Sequence, residues 1–172
     1  MIQKKICMLG SFAVGKTSLV SRFVHSIFSD KYLTTLGVKI DKTVVYVDGN
    51  PISLVVWDVQ GEDQEQRILP AYLRGMAGYL LVVDPTRQYT LENALLLKMR
   101  VEQEIGPTPF VLALNKADLK SDWHFDEDDL RLLESDALAV VETSAKTGSG
   151  VEECFQTLAL EFVPLQHYGT GT

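Results

Sequence analysis

The sequence contains only two cysteines in 172 residues, Cys7 and Cys154. Two thiols so far apart in the chain do not suggest a disulfide framework or a zinc site. Both lie in apolar stretches, so we expect buried, reduced side chains that serve the hydrophobic core.

Long apolar runs are also missing. No stretch approaches the ~20 residues needed to span a bilayer, and the first residues lead into a strand rather than into the hydrophobic region of a signal peptide. We therefore expect a cytoplasmic protein.

Basic residues are scarce. The chain has 16 Lys and Arg against 23 Asp and Glu, a formal net charge of −7, so the positive surface of a protein that tracks nucleic acid is absent. A small nucleotide pocket remains compatible with this charge, because backbone N–H groups and one lysine can supply the local positive potential.

What the chain does have is enough length and apolar content for one globular domain, with 46% hydrophobic residues. Apolar strand-like runs alternate with helical periodicity, which predicts mainly parallel strands covered on both faces and one antiparallel hairpin at an edge. Ligands of such sheets bind at the carboxyl ends of the strands. The predicted strands are 2–9, 39–47, 52–57, 79–83, 110–114 and 139–141, and the predicted helices are 16–24, 91–105, 127–136 and 150–162.

The loop after the first strand is Gly10 to Thr17, with the sequence GSFAVGKT. It matches the phosphate-binding pattern G-x-x-x-x-G-K-[ST] between a strand and a helix, which makes the match specific. The pattern predicts that its backbone N–H groups and the helix N-terminus face an anion, that Lys16 reaches the β and γ phosphates, and that the Thr17 hydroxyl ligates Mg²⁺. The alternative is a glycine-rich turn that matches by chance. The agreement of the preceding strand, the spacing, the lysine and the hydroxyl disfavours it.

The base-reading candidate is Asn115 to Asp118, with the sequence NKAD, directly after the fifth predicted strand. A carboxylate at Asp118 accepts hydrogen bonds from N1–H and the exocyclic amine of guanine, whereas adenine presents an acceptor at N1 and leaves the carboxylate unpaired. An unpaired buried group of this kind supports discrimination of ~10⁴ to 10⁵. An ordinary loop with a helix cap is the alternative that the tetrapeptide alone leaves open.

Two weaker motifs end other strands. Thr143 to Lys146 can offer the Ala145 N–H to guanine O6. The carboxylate of Asp58, at the end of the hairpin, can hold Mg²⁺, and Gly61 allows a close approach of its N–H to the γ-phosphate. Each is a common polar turn when read in isolation.

Together these motifs resemble the Ras superfamily of small GTPases, the Rab branch most closely, in the family's order across nearly the whole chain. The resemblance implies a P-loop NTPase G domain over residues 1–165, with a mixed, mostly parallel six-stranded sheet, about five helices and a short polar tail at 166–172. It implies a switch that binds GTP or GDP with Mg²⁺ and hydrolyses GTP. Residues 32–38 look like its first switch segment.

The resemblance also assigns residues. Thr35 would coordinate Mg²⁺ and γ-phosphate only in the GTP state, Phe28 would lie edgewise near the guanine, Lys116 would pack on the base, and the Gly61 segment would reorder with nucleotide. The expected metal ligands are Thr17, Thr35 and Asp58, and the expected catalytic residues are Lys16, Thr35, Gly61 and Glu62. The expected nucleotide contacts are Ser11, Phe12, Ala13, Val14, Gly15, Lys16, Thr17, Ser18, Phe28, Thr35, Gly61, Asn115, Lys116, Asp118, Ser144, Ala145 and Lys146.

The chain departs from the family pattern at Glu62, where most members carry the glutamine that positions the attacking water. A carboxylate ~5 Å from a phosphate charge costs roughly 3 kcal/mol at an effective dielectric constant of 20. Glu62 is therefore expected to swing away, take up a proton or act as a base. Gln60 and Gln64 are nearby amides that could substitute, and the bulky Phe12 could crowd a partner's arginine finger.

These departures predict slow intrinsic hydrolysis. They also support a second hypothesis, a nucleotide-binding interaction module without useful hydrolysis. A metabolic P-loop kinase is disfavoured because no acceptor site or lid is visible and because guanine-reading elements are present. The chain shows neither a prenylation cysteine nor a basic run at its end, so no membrane anchor is expected; a monomer with protein effectors, an exchange factor and a GTPase activator is expected.

Two local expectations concern the segment before the fourth predicted helix. Trp123 and His124 lie in a polar loop, where a surface aromatic is favoured over a partner contact. The acidic run 126–129 fits the first helical turn, where negative charge complements the helix dipole, better than a calcium site.

Overall fold

The computed structural model describes residues 1–29, 31, 35–61 and 67–164. Within these residues the chain forms six strands, five α-helices and one 3₁₀ helix, Ala117–Asp122. The strands are β1 (Ile2–Leu9), β2 (Val38–Val47), β3 (Asn50–Val59), β4 (Met76–Val83), β5 (Phe110–Leu114) and β6 (Val140–Glu142). The α-helices are α1 (Lys16–His25), α2 (Pro70–Leu73), α3 (Tyr89–Ile105), α4 (Glu127–Glu134) and α5 (Val151–Leu160).

The strands form one sheet in the order β2-β3-β1-β4-β5-β6. Only β2 and β3 pair antiparallel; the remaining pairs are parallel. The hairpin turn is Asp48-Gly49, with φ of 49° and 77°, and two consecutive positive φ angles are what a tight type I′ turn requires. The predicted mixed, mostly parallel sheet with an antiparallel edge hairpin is confirmed.

Helices cover both faces of the sheet because the central strands are apolar on both sides. One core cluster lies against α1 and α5, where the rings of Phe23 and Phe155 stack with centroids 3.9 Å apart. The other lies against α3 and α4, where Tyr79 stacks on Phe110 at 5.1 Å. Burial raises the pKa of both Cys7 and Cys154 to about 12, and both are buried free thiols as expected.

The helix starting at the acidic run is confirmed. The Asp126 side chain caps α4 by accepting hydrogen bonds from the backbone N–H groups of Asp128 and Asp129. The four-residue α2 was not predicted, because a single turn beginning at Pro70 is too short to show helical periodicity. No helix in the described part of the chain has the length and apolar character to cross a membrane.

Candidate functional site

A cavity of about 330 Å³ opens at the carboxyl ends of the parallel strands. The β1–α1 loop, the β3 end, the β5–α4 connection and the β6–α5 loop all reach it, because parallel strands deliver their carboxyl ends to one edge of the sheet. The cavity is lined by Phe12, Ala13, Gly15, Lys16, Thr17, Ser18, Phe28, Ser29, Lys31, Thr35, Gly61, Asn115, Lys116, Asp118, Leu119, Ala145 and Lys146.

Two glycines of the site are explained by the close approach of neighbouring atoms. Gly15 has a φ of 102°, and a Cβ there would lie 2.3 Å from the Asn115 side-chain nitrogen. A Cβ at Gly61 would lie 2.3 Å from the Phe12 Cα and 2.5 Å from the Phe12 nitrogen. Only glycine therefore lets the end of β3 lie directly against the β1–α1 loop.

Lys16 lies beneath that loop and is almost fully buried. Its ammonium donates hydrogen bonds to the carbonyls of Gly10 at 3.1 Å and Ser11 at 3.0 Å. Burial lowers the pKa of Lys16 to about 8, although the nearby Asp58 carboxylate acts in the opposite direction. The Lys16 ammonium is thus held in place at the bottom of the cavity, in a protein whose net charge is negative.

Three oxygen ligands converge beside this lysine. Thr17 Oγ1 donates a hydrogen bond to Asp58 Oδ2 at 2.6 Å, Thr35 Oγ1 donates to the same atom at 3.3 Å, and the two threonine hydroxyls contact each other. Asp58 is fully buried, its other carboxylate oxygen has no hydrogen-bond partner, and burial raises the pKa of its carboxyl. Mg²⁺ prefers oxygen ligands and is usually bound by only one or two carboxylates. A buried, unpaired carboxylate oxygen beside two hydroxyls fits this preference.

Carboxylate and imidazole clusters offer no competing metal site in the described residues, where no group of three or more His, Cys, Asp or Glu side chains is assembled. The residues predicted to hold the metal therefore fit it through their hydroxyls and through one carboxylate.

The β5–α4 connection is fixed to the phosphate-binding loop by Asn115. Its side-chain nitrogen donates to the Val14 carbonyl at 2.8 Å, and its side-chain oxygen accepts from the Thr143 hydroxyl at 3.1 Å. Asn115 and Thr143 are buried. Asn115 thus serves as a brace that joins three of the loops around the cavity.

Asp118 presents its carboxylate to the opposite end of the cavity. Ser144, which is buried, donates its hydroxyl to Asp118 Oδ1 at 2.8 Å and accepts from the Thr147 N–H. This hydrogen bond fixes the direction of the carboxylate while its second oxygen stays available. Ala145, from the same loop, lines the cavity beside it.

Lys116 has a φ of 63°, in the left-handed region that non-glycine residues rarely adopt. Its ammonium lies 2.7 Å from Asp84 Oδ2, and its carbonyl accepts a hydrogen bond from the Trp123 indole N–H at 3.1 Å. The Trp123 ring, expected as a surface aromatic, is half-buried and packs against the α3–α4 core. A supporting hydrogen bond to a strained residue could not be inferred from a polar loop sequence.

The predicted site residues divide into two groups. Most line the cavity, but Ser11, Val14, Asp58 and Ser144 lie behind its surface, where they are buried and hold the lining residues. Glu62 and residues 32–34 of the predicted first switch segment, 32–38, lie outside the described residues.

The sequence did not point to Ser29, Lys31 and Leu119, which also line the cavity. Ser29 and Lys31 follow α1 in a segment without a motif, and Leu119 follows the base-reading motif by one position. Its place next to Asp118 in the 3₁₀ helix was the one signal that could have suggested it.

Comparison with known proteins agrees with this geometry. The Ras family model matches residues 5–163. The Ras-related protein RABA2d of Arabidopsis thaliana is 35% identical over 163 residues, covering 91% of this chain and 73% of that protein. The dog Ras-related protein Rab-13 is 32% identical over 161 residues, covering 92% and 79%, and Rab2BV of Beta vulgaris is 33% identical over 163 residues, covering 91% and 74%.

Members of this family act through regulators and effectors. The family match and the Rab-related relatives establish that the chain belongs to the Ras family of small GTPases, in its Rab branch, as a molecular switch that binds GTP or GDP with Mg²⁺ and hydrolyses GTP.

Proposed function

We propose that the cavity binds the phosphates and the metal at the end where Lys16 lies and binds guanine at the end where Asp118 lies. We also propose that hydrolysis without a partner is slow. The observation that carries this proposal is the cluster of Thr17, Thr35 and Asp58 oxygens beside a buried lysine, in the same cavity as the Asp118 carboxylate. One nucleotide can satisfy both ends.

At the phosphate end, the β1–α1 loop binds the β and γ phosphates through its backbone N–H groups and Lys16. The loop leads directly into the N-terminus of α1 at Lys16, where the helix dipole favours an anion. When phosphate binds, the Lys16 ammonium donates hydrogen bonds to phosphate oxygens, either in place of those to the Gly10 and Ser11 carbonyls or in addition to them. An ammonium that is buried next to phosphate charge is worth more than one in water.

Thr17, Thr35 and Asp58 would hold the metal, because their hydroxyls and the unpaired Asp58 oxygen offer it oxygen ligands. Mg²⁺ at this position would neutralise the charge that develops on the phosphates. The three residues come from α1, from the segment before β2 and from the end of β3, so metal binding draws three separate parts of the chain together.

At the guanine end, Asp118 accepts hydrogen bonds from N1–H and the exocyclic amine, and the Ala145 N–H donates to O6. Lys116 packs along one face of the base, Phe28 and Lys146 complete the walls, and Asn115 and Ser144 hold the loops in register. The fixed Ser144–Asp118 hydrogen bond supports this assignment, because selectivity needs a carboxylate that cannot rotate away.

The switch consists of Thr35 and Gly61. Both line the cavity at its phosphate end, and neither is bonded to the guanine end. We propose that the γ-phosphate binds the Thr35 hydroxyl and the Gly61 N–H, and that its loss on hydrolysis releases both segments.

Hydrolysis cleaves the bond between the γ-phosphorus and the β–γ bridging oxygen as water attacks, giving GDP and phosphate. Lys16 and the loop N–H groups stabilise the charge that builds up on the phosphate oxygens. Glu62 replaces a neutral water-positioning amide with a carboxylate, so the attacking water is poorly held. This substitution is the reason for proposing a low intrinsic rate.

The partners proposed for this switch are an exchange factor, a GTPase activator and effectors that read the Thr35 and Gly61 segments. The switch is proposed to act as a monomer. The family match over residues 5–163 supports a single G domain over 1–165, followed by the tail 166–172, and the free thiols of Cys7 and Cys154 support a reducing, cytoplasmic location.

Single-turnover release of phosphate from [γ-³²P]GTP with Mg²⁺ tests the proposal, with wild type compared with Glu62→Gln. Slow release from wild type and faster release from Glu62→Gln would support it. No release from either protein, with GTP firmly bound, would favour the interaction module without useful hydrolysis. Equal or faster release from wild type would show that Glu62 takes part in the reaction.

A further inference from the structure

Asp84 is a fully buried carboxylate at the end of β4 that no assigned role explains. Its Oδ1 accepts hydrogen bonds from the Thr86 hydroxyl at 2.6 Å and the Thr86 N–H at 3.0 Å. Its Oδ2 lies 2.7 Å from the Lys116 ammonium and accepts from Arg87 Nε at 2.9 Å. Burial raises the pKa of Asp84, but the bonds from Lys116, Thr86 and Arg87 outweigh burial and the net shift is downward.

Arg87 extends this network to the phosphate-binding loop. Its two terminal nitrogens both donate to the Phe12 carbonyl at 3.2 Å, and one of them also donates to the Tyr89 hydroxyl at 2.7 Å. A guanidinium whose three nitrogens are all engaged is held in one orientation. Arg87 therefore fixes the direction of the Phe12 carbonyl at the outer bend of the loop.

A second contact from the same region stabilises the neighbouring residue of the loop. Asn93 on α3 donates its side-chain amide to the hydroxyl of the buried Ser11 at 2.9 Å. Ala13, which follows Phe12, has a φ of 63°. This conformation costs an alanine free energy and persists only when its surroundings hold it. Arg87, in the β4–α3 connection, and Asn93, on α3, thus support the loop at the two consecutive residues immediately before Ala13.

We propose that Asp84 and Arg87 are positioning residues that connect the base-packing lysine, Lys116, to the phosphate-binding loop at Phe12. The inference rests on the proposed function, in which Lys116 packs on guanine and the loop binds the phosphates. One carboxylate orients both cations, so the two ends of the nucleotide are held by a single buried network.

The network allows the roles of Asp84 and Arg87 to be distinguished by experiment. Phe12 is the loop residue against which Gly61 lies, because a Cβ at Gly61 would meet its backbone at 2.3 Å. Arg87 therefore acts at the terminal-phosphate end and should affect triphosphate more than diphosphate. Asp84 holds Lys116 as well, so its loss should affect both nucleotides.

The test measures dissociation rates of fluorescent GDP and of a fluorescent non-hydrolysable GTP analogue from the Mg²⁺-loaded full chain. For Arg87→Ala we expect triphosphate release about tenfold faster or more, the loss of a charge-assisted hydrogen bond, with diphosphate release less than about threefold faster. For Asp84→Asn we expect both rates to rise by about tenfold. Arg87→Lys should resemble Arg87→Ala, because an ammonium cannot reproduce the fork.

The matched control is Arg131→Ala, which removes an exposed arginine from α4; within the described residues its ion pairs are to exposed acids on the same helix. It should leave both rates unchanged. Equal acceleration of the release of the two nucleotides by Arg87→Ala would overturn the proposal, because general destabilisation of the protein would explain it. Wild-type release rates in Arg87→Lys would also overturn it, because a positive charge alone would then be enough. Thermal unfolding of each GDP-bound variant identifies a folding defect, and if Asp84→Asn is unfolded the Arg87 comparison decides alone.

The same data separate this inference from the proposed function. If Lys16→Ala and Asp118→Ala fail to accelerate nucleotide release, the assignment of the cavity fails and the positioning role fails with it. If those two variants release nucleotide rapidly while Arg87→Ala matches wild type, only the positioning role is wrong.

Discussion

Gly37 and Gln60 exchange two hydrogen bonds: the Gln60 N–H donates to the Gly37 carbonyl at 2.8 Å, and the Gly37 N–H donates to the Gln60 side-chain oxygen at 2.9 Å. These bonds join the segment that carries Thr35 to the segment that carries Gly61. The sequence suggested that the Gln60 amide could replace the missing glutamine at position 62. Its carbonyl oxygen is instead committed to Gly37, so Gln60 connects the two switch segments.

Gln60→Ala should loosen this connection. It removes one of the two hydrogen bonds, each worth ~0.5 to 1.5 kcal/mol, so the affinity for a non-hydrolysable GTP analogue should fall about 3- to 10-fold while GDP affinity changes little. Titration with both nucleotides measures this. Gln103→Ala, on the exposed face of α3, is the matched control, and a Gln60 variant that binds both nucleotides like the control would remove the connecting role.

Gly61→Ala should separate GDP binding from the response to triphosphate. The added methyl would lie 2.3 Å from the Phe12 Cα, so the end of β3 must move away from the loop. We expect GDP affinity to stay within a few-fold and single-turnover hydrolysis to fall ~10-fold or more, since one transition-state donor is commonly worth more than this.

Gly49→Ala provides the control for Gly61→Ala. It also places a methyl on a glycine, but at the hairpin turn, where nothing lies within 4 Å and the φ of 77° makes strain the only cost. Normal hydrolysis by Gly61→Ala would contradict the close approach of Gly61 to the γ-phosphate.

Asp118→Asn should change the base preference. Xanthine has an oxygen where guanine has its exocyclic amine, and an asparagine amide can donate to that oxygen but cannot accept from two guanine donors. GTP affinity should fall by ~10²-fold, as expected for two charge-assisted hydrogen bonds, and xanthosine triphosphate should bind better than to wild type. Competition against labelled GDP measures both; unchanged selectivity would place the base elsewhere.

Removal of the metal should act through Thr17. Chelation of Mg²⁺ should accelerate GDP release from wild type by ~10-fold or more, because the phosphate charge loses its counter-ion. Thr17→Val, which keeps the shape but loses the hydroxyl, should release GDP quickly even with Mg²⁺ present and respond little to chelation. A Thr17→Val protein that still responds like wild type would exclude that hydroxyl as a ligand.

Much of the fold could be predicted from the sequence, because strand and helix periodicities differ and the site motifs sit at strand ends. The hairpin was readable from Asp48-Gly49, and α1 from the residues after Gly15. The short α2 and the end of β6 were not, because one helical turn and a three-residue strand carry too few positions for a periodic pattern.

The lining of the site was predictable where a motif fixes both residue type and spacing, as for Lys16 and Asp118. The supporting network was not. Arg87 and Asn93 contact the loop, and Asp84 holds Arg87, only because β4 lies beside β1 in the sheet and leads into α3. Sequence separations of 75 and 82 residues between these contacting pairs carry no local signal of that.

Sensing of the γ-phosphate by Thr35 and Gly61 is measured by amide hydrogen exchange, with the protein loaded with Mg²⁺ and either GDP or a non-hydrolysable GTP analogue. We expect slower exchange at residues 35–37 and 60–61 in the triphosphate state, with no change at the hairpin turn 48–49. Equal exchange of residues 35–37 and 60–61 in the two states would contradict this sensing role.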